Sequence, residues 1–306
     1  MKRFLIILLC AALLLCAFAC KAETPDNGKP TVVCTIFPQY DFIRTIAGDR
    51  VNLRLLVSPG GEVHGYDPSM DELADILSCD LFVYVGGETD RWVDDLLRTN
   101  GRDLNAVALI DLVDTVGEAL LPGMQGEAEE DEPDEHVWTS PKNAIRIVNG
   151  LTDSLCALLP EEADAMRRNA EAYTSELQSL DDDFHAVMRN AKRSTVVFAE
   201  RFPFRYLCDE LNLTAYAALP GCSSNEEVAM TTVAYLIDRV EEEQLPGVFY
   251  IEFSDRRIAD TIAKATGCET WLFHSCHNVS REDFDAGVTY LDLMRQNLET
   301  LKKAVN

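Results

Sequence analysis

The segment 161–192 constrains the fold more than any other part of the chain. It contains no Gly or Pro, and Pro160 stands just before it, where helices tolerate proline. Its apolar residues recur at alternating steps of three and four, the pattern of an amphipathic helix with one buried stripe. They are Ala163, Met166, Ala170, Tyr173, Leu177, Leu180, Phe184, Val187 and Ala191. We predict one long rigid helix packing along two flanking lobes, with a coiled-coil dimerisation helix as the alternative.

Short β-branched runs alternate with helical patterns on both sides of this segment. Such alternation indicates βα units and mainly parallel sheets, so we predict an α/β fold with an N-terminal lobe (31–160) and a C-terminal lobe (193–306). Ser69 is a predicted N-cap for a helix that includes 71–77. The predicted strands are 31–37, 51–57, 81–85 and 107–110 in the first lobe, and 195–198, 213–219, 248–251 and 270–273 in the second.

The N-terminus has the pattern of a cleaved export signal. Lys2 and Arg3 precede an apolar run at 4–18, which is shorter than the roughly 20 residues of a membrane span. We predict that 1–19 is a signal peptide and that Cys20 becomes the lipidated N-terminus. Residues 20–30 then form a flexible tether, which gives an extracytoplasmic lipoprotein anchored to the cell membrane.

The cysteines show no pattern of a zinc knuckle, because the mature chain has no CxxC pair. Seven cysteines remain after Cys20, so at least one stays a thiol unless chains pair. Export permits a disulfide without requiring one. If one forms, we expect it between Cys222 and Cys276.

The charge of the chain excludes several kinds of partner. It has 52 acidic and 27 basic residues, a formal charge of −25, and the mature chain reaches −27 because the signal carries Lys2 and Arg3 but no acid. Nucleic acid and anionic membrane surfaces are therefore excluded as partners, whereas cations are favoured. Seven of the acidic residues lie in 127–135. This run is either a cation-collecting loop or a solvated surface loop.

Five histidines are candidate metal ligands, and four of them lie where α/β folds place ligand groups. His64 lies in a turn-rich loop after a predicted strand, and His136 follows the acidic run. His274 and His277 follow the last predicted strand, whose carboxyl end is a usual ligand position. His185 lies inside the long helix, and we interpret it as structural or solvated.

Two motifs resemble those of a known family. His64-x-Tyr66-x-Pro68 and the motif 135–141, which reads Glu-His-Val-Trp-x-x-Pro, are similar to the metal motifs of zinc/manganese-binding solute receptors of bacterial ABC importers. The similarity continues through the long helix, the segment 198–206 and the C-terminal segment 287–298. It covers essentially the whole mature chain.

This resemblance implies four metal ligands, two from each lobe. The first two correspond to His64 and His136. The third corresponds to Glu200 if one residue is inserted, whereas an ungapped alignment places Arg201 there, and a guanidinium cannot ligate a metal. The fourth falls on His274, with His277 as the alternative.

Three imidazoles and one carboxylate suit Zn²⁺, with Mn²⁺ as the alternative because a manganese site would favour more oxygen ligands. The resemblance therefore implies a binding protein that delivers a divalent metal ion to the membrane permease of an ABC importer. We expect no enzymatic activity, since four ligands would close the site and no HExxH or GxSxG motif occurs. A surface adhesin or interaction lipoprotein, and a receptor for a metal chelate or haem, are the alternatives.

Overall fold

The computed structural model describes residues 27–100, 104–118, 120–124, 132–221 and 227–306. The predicted signal peptide and Cys20 lie outside these residues, as does most of the tether. No helix in the described ranges combines the length and apolar character that crossing a bilayer requires.

The first lobe is built on a four-stranded parallel sheet with strand order β2-β1-β3-β4. Val33 on the central strand is fully buried and lies opposite Arg54 on one side and Phe82 on the other. The elements are β1 (Thr31–Cys34), α1 (Phe37–Ala47), β2 (Asn52–Leu55), α2 (Met70–Ser78), β3 (Leu81–Tyr84), α3 (Arg91–Asn100) and β4 (Ala106–Ala108). Short 3-10 turns follow at Leu109–Leu112 and Val137–Thr139.

The two lobes are connected by α4 (Pro141–Leu158), a 3-10 turn (Pro160–Glu162) and the long helix α5 (Ala163–Arg189). The long helix is shorter than the predicted 161–192 at both ends. Pro160 begins the separate 3-10 turn, and after the C-terminal end the amides of Lys192 and Arg193 both donate to the carbonyl of Val305. The predicted apolar stripe is buried from Ala163 to Val187.

The second lobe repeats the arrangement of the first. Its parallel sheet has strand order β6-β5-β7-β8. The elements are β5 (Thr195–Phe202), α6 (Arg205–Leu211), β6 (Thr214–Pro220), α7 (Met230–Glu242), β7 (Gly247–Tyr250), α8 (Arg257–Thr266), β8 (Glu269–Leu272), α9 (Arg281–Ala286) and α10 (Tyr290–Val305).

The predicted fold class is confirmed. Each predicted strand has a counterpart, although β1 is shorter and β5 longer than predicted. Ser69 caps α2 as expected: its hydroxyl accepts the amide of Glu72, and the Glu72 carboxylate accepts the amide of Ser69 at 2.8 Å.

One apolar cluster joins both lobes to α5, and Val83, Leu177 and Phe198 are buried members of it from the three parts. Hydrogen bonds also cross between the lobes. The amide of Tyr290 donates to Asp41 Oδ2 at 2.7 Å. Because close-packed cores resist continuous deformation, this arrangement restricts how far the lobes can separate.

The loops at the carboxyl ends of the two sheets are bonded to each other. Asn278 Nδ2, which follows β8, donates to the carbonyls of Ser58 and Gly61 at 2.9 Å each. The amide of Gly60 donates to the carbonyl of Val279 at 2.8 Å. The loop that carries His64 is therefore held against the loop that carries His277.

The disulfide expected between Cys222 and Cys276 is wrong. Cys276 is a buried free thiol, whereas Cys222 lies outside the described residues. Burial raises the pKa of the Cys276 thiol well above its ordinary value, so this side chain behaves as a small apolar residue.

Candidate metal centre

Three imidazoles meet between the lobes, from His64, His136 and His277. One ring nitrogen of each lies within 4.8 Å of the others, and this is the group of metal-capable side chains that the described part of the chain brings together. Ring centroids are 4.9 Å apart for His64 and His277 and 4.8 Å apart for His136 and His277. His136 is fully buried and His277 is 7% exposed.

The Nε2 atom of each of these imidazoles is buried and makes no hydrogen bond. An unpartnered buried polar atom costs about 1–3 kcal/mol, so three of them at one point need a shared partner. Neutral imidazole nitrogen is a common ligand for divalent metals. The residues present therefore fit a cation held by three Nε2 atoms.

Each imidazole is oriented by a polar side chain two residues earlier in the chain. Asp134 Oδ1 lies 2.9 Å from His136 Nδ1 and also accepts the His136 amide. Ser275 Oγ lies 2.7 Å from His277 Nδ1 and donates its own proton to Glu252. In both pairs Nδ1 must carry the hydrogen, which leaves the Nε2 lone pair free for a metal.

His64 has two partners with opposite demands on its Nδ1 atom. Glu62 Oε1, at 3.1 Å, can only accept a hydrogen from Nδ1, whereas Arg201 Nη1, at 2.9 Å, can only donate one to it. The hydrogen bond from His64 is the main reason that the pKa of Glu62 falls to about 2. Glu62 is therefore ionised throughout the physiological range and favours the form of His64 that binds a metal through Nε2.

The three imidazoles differ in how readily they take a proton. Burial lowers the pKa of His277 well below its ordinary value and also lowers that of His64. Burial acts in the same direction on His136, but the charge of Asp134 and its hydrogen bond outweigh this effect and raise the pKa of His136. Protons therefore compete with a metal at His136 first.

His274 lies beside this centre but outside the group of three imidazoles. Its Nδ1 accepts the amide of Cys276 at 3.0 Å, and its backbone exchanges two 2.7 Å hydrogen bonds with the Asn297 side chain. Cys276 has a positive φ of 63°, which turns the chain between His274 and His277. His277, the alternative in the sequence prediction, is the histidine that joins His64 and His136.

Glu200 likewise lies outside the group of three imidazoles. It faces Ser254, whose hydroxyl donates to it, while the next residue, Arg201, contacts His64. Strand β5 carries one extra residue relative to β6 between Phe198 and Arg201, a bulge that changes the direction of the side chains beyond it. Arg201, which an ungapped alignment assigns to the third ligand, therefore contacts His64, but its guanidinium cannot bind a metal.

Only part of the acidic run 127–135 lies in the described residues, and its last two acids are not solvated. Asp134 and Glu135 are 1% and 2% exposed. Asp134 contacts His136, as described above. Glu135 accepts hydrogen bonds from the amide of Thr89, at 2.9 Å, and from the Thr89 hydroxyl. Residues 127–131 lie outside the description, so a cation-collecting role for them stays a prediction.

Sequence reasoning missed the side chains that orient the imidazoles. The spacing in the sequence could have indicated them, because a polar side chain stands two residues before each histidine of the group. These residues are Glu62, Asp134 and Ser275. The corresponding residue before His274 is Leu272, which cannot bond to a ring nitrogen. The ungapped alignment placed Arg201 at the third ligand position, but no local pattern predicted its contact with His64, because that contact joins the two lobes.

A cavity of about 780 Å³ lies against one side of the centre. His64, His277 and Arg201 line it, together with the carboxylates of Glu200 and Glu252. His136 is not part of its lining, and with zero exposure it lies on the closed side of the centre. The cavity therefore gives one face of the three-histidine group access to small molecules.

Two parallel βα lobes, held by one long helix and enclosing three inward-facing imidazoles, define a metal-binding solute-binding protein. The chain belongs to the family described as zinc-uptake complex component A, periplasmic (ZnuA), whose model matches residues 32–304. The family membership that the motifs around His64 and His136 predicted is therefore confirmed.

Relatives and solved structures agree with this assignment. The zinc-binding lipoprotein AdcA of Streptococcus pneumoniae is 32% identical over 319 residues; the match covers 100% of this chain but 62% of that protein. The high-affinity zinc uptake system protein ZnuA of Bacillus subtilis is 28% identical, covering 93% of this chain and 91% of its own length. The crystal structure of the Zn(II)-bound ZnuA-like domain of S. pneumoniae AdcA superposes with a TM-score of 0.76 and 32% identity, covering 91% of this chain and 99% of that one.

Replacing His277 and His274 in turn by Asn tests which of them is a ligand. Asn can donate or accept near the Nδ1 position but has no atom at Nε2. We expect His277→Asn to weaken Zn²⁺ binding by more than the roughly 10–100-fold that losing an outer partner costs, and His274→Asn to leave it nearly unchanged. Competition titration with a chelator measures both, with His185→Asn as the control, and the opposite ranking would assign the ligand to His274.

The pKa pattern predicts a dependence of metal affinity on pH that involves one proton. Because the pKa of His136 is raised and those of His64 and His277 are lowered, acidification first protonates His136. Zn²⁺ affinity should then fall by about tenfold per pH unit below the pKa of His136, rather than by the larger factor that loss of several ligands would give.

The variant Asp134→Asn should move the onset of this loss to lower pH, because it removes the charge that raises the pKa of His136. Its affinity at high pH should also fall, since His136 loses its orienting partner. This account of the centre would be contradicted if Zn²⁺ affinity fell by much more than tenfold per pH unit from the start of the loss. It would also be contradicted if Asp134→Asn left the pH at which the loss begins unchanged.

Proposed function

We propose that this chain is the extracytoplasmic zinc receptor of an ABC importer, which binds Zn²⁺ through Nε2 of His64, His136 and His277 and delivers it to a membrane permease. The observation that carries the proposal is the convergence of three buried Nε2 atoms without hydrogen-bond partners, each on an imidazole oriented from its other side. This is the arrangement that lets a buried site bind a cation without first breaking protein hydrogen bonds.

The chemistry of the donors favours Zn²⁺ over Mn²⁺. Three neutral nitrogens suit the borderline-soft zinc ion in four-coordinate geometry, whereas manganese prefers more oxygen ligands. The relatives named above support the same choice, since they are described as a zinc-binding lipoprotein and a high-affinity zinc uptake protein. Affinity order alone would admit Cu²⁺ or Ni²⁺ in vitro, so the cell must contribute to selectivity.

We propose binding rather than catalysis as the role of the bound ion. Three protein ligands and one open position also occur in catalytic zinc sites, so the count of ligands does not separate the two. Membership in a family of zinc-uptake components favours binding. The packing of α5 into both lobes adds to this, since the ion would be captured and released with modest lobe or loop movement.

We further propose that lipid on Cys20 anchors the protein outside the cytoplasm. The support is the basic and apolar pattern of 1–19 and the small residues before Cys20. The polar tether that follows lets the lobes reach a permease in the same membrane. The match to a protein described as a zinc-binding lipoprotein agrees with this arrangement.

Growth in zinc-depleted medium tests transport. A strain lacking this gene should be restored by the wild-type chain and by His185→Ala, but not by the double variant His64→Ala with His136→Ala. Added zinc should restore the double variant. Equal growth with both variants would favour an adhesin, and titration that shows tighter binding of Mn²⁺ than of Zn²⁺ to the purified protein would overturn the choice of metal.

Metabolic labelling with palmitate tests the anchor. Wild-type protein and Cys16→Ala should be labelled and membrane-bound, whereas Cys20→Ala should lose the label, because only Cys20 becomes the N-terminus after cleavage. The absence of label on the wild-type chain, while a known lipoprotein in the same cells is labelled, would contradict the anchor.

A further inference from the structure

We propose that Arg201 recruits a small anion, of the carboxylate class, as the fourth ligand of the bound metal ion. The inference rests on the proposed function, because it assumes that the three imidazoles bind a divalent cation. It assigns to Arg201 a binding role that a guanidinium can fill, although a guanidinium cannot itself be a ligand.

The first step concerns the number of ligands. Zn²⁺ bound by proteins is almost always four-coordinate, and the metal-capable group in the described part of the chain ends at three residues. Nearby carboxylates already have partners: Glu62 bonds to His64, Asp134 to His136, and Glu252 to Ser275. A fourth ligand that comes from outside the protein leaves these hydrogen bonds intact.

The second step concerns the position of Arg201. Its Nη1 atom lies 2.9 Å from Nδ1 of His64, its side chain is 21% exposed, and it lines the cavity beside the centre. A guanidinium offers a planar fork of donors that matches a carboxylate. Because Arg201, His64 and His277 line the same cavity, an anion that binds the metal from that side lies on the face that carries these donors.

The third step follows from the two demands on His64. When Nε2 binds a metal, Nδ1 of the neutral imidazole must carry the hydrogen and so can no longer accept one from Arg201. Glu62 can accept that hydrogen, and its Oε1 also lies 3.5 Å from Arg201 Nη1. In this form of His64, Arg201 does not donate to Nδ1, so its Nη1 donor is available to an anion on the bound ion.

The cavity also predicts the order in which the two ligands bind. Its described lining carries more carboxylates than guanidinium groups: Glu62, Glu200, Glu227, Glu252 and Asp255 against Arg201 and Arg257. Before the metal arrives, these carboxylates repel an anion. A bound divalent ion reverses the local field, so the anion should bind only to the metal-loaded protein.

Cobalt spectroscopy with acetate as the probe tests the proposal. Co²⁺ replaces Zn²⁺ in sites of this kind, and its visible absorption reports a change of one ligand. We expect acetate to change the spectrum of the Co²⁺-loaded mature protein in a saturable manner. The apparent affinity for acetate should fall by at least about tenfold in Arg201→Gln, because its charge-assisted hydrogen bonds are lost.

Arg257→Gln is the matched control, because it removes a charge from the same cavity at a side chain that is 84% exposed and paired with Asp255. It should respond to acetate as the wild type does. Melting curves of the Co²⁺-loaded variants verify that Arg201→Gln remains folded, and Arg201→Lys, which keeps the charge without the fork, should be intermediate.

Several outcomes would overturn the proposal while leaving the proposed function intact. They are a Co²⁺ spectrum that acetate does not change, an equal acetate response in Arg201→Gln and wild type, and loss of absorption because acetate removes the ion. Failure of the wild-type protein to bind Co²⁺ or Zn²⁺ at all would instead refute the zinc receptor itself.

Discussion

The apolar stripe of α5 is the constraint on which the rest of the structure depends. Its residues are buried from Ala163 to Val187, and the cluster they join contains side chains from both sheets. Removing this much apolar surface from water stabilises one arrangement of the lobes, in which the carboxyl ends of the two sheets face each other. The three imidazoles of the candidate metal centre meet only because this arrangement brings His277 from one lobe to His64 and His136 from the other.

Within that frame, the centre is organised by polar side chains rather than by the histidines alone. Asp134, Ser275 and Glu62 hold the outer nitrogen of each imidazole, so that the inner nitrogens point to one place. Three buried nitrogens without partners are unfavourable in the metal-free protein. That cost is removed when a cation binds, which is how a rigid, preformed site gains affinity.

Local patterns predicted much of the fold. The βα alternation predicted two parallel sheets, Ser69 was predicted as an N-cap, and the three-four spacing predicted the stripe of α5. These features are readable because hydrophobic periodicity and capping involve residues close in sequence. The ends of elements were less predictable: α5 ends at Arg189, and three residues later the chain bonds to Val305, a residue more than a hundred positions away.

The sequence by itself determined the family, the two-lobed α/β fold and two of the histidines in the centre, because each is recorded in a local motif or a periodic pattern. Only the tertiary structure shows that His277 rather than His274 joins His64 and His136, and that Arg201 rather than Glu200 contacts His64. In the first case a positive φ at Cys276 turns the loop, and in the second a bulge in β5 changes the direction of the side chains. Both are local changes of backbone direction, and neither hydrophobic periodicity nor a capping motif marks them in the sequence.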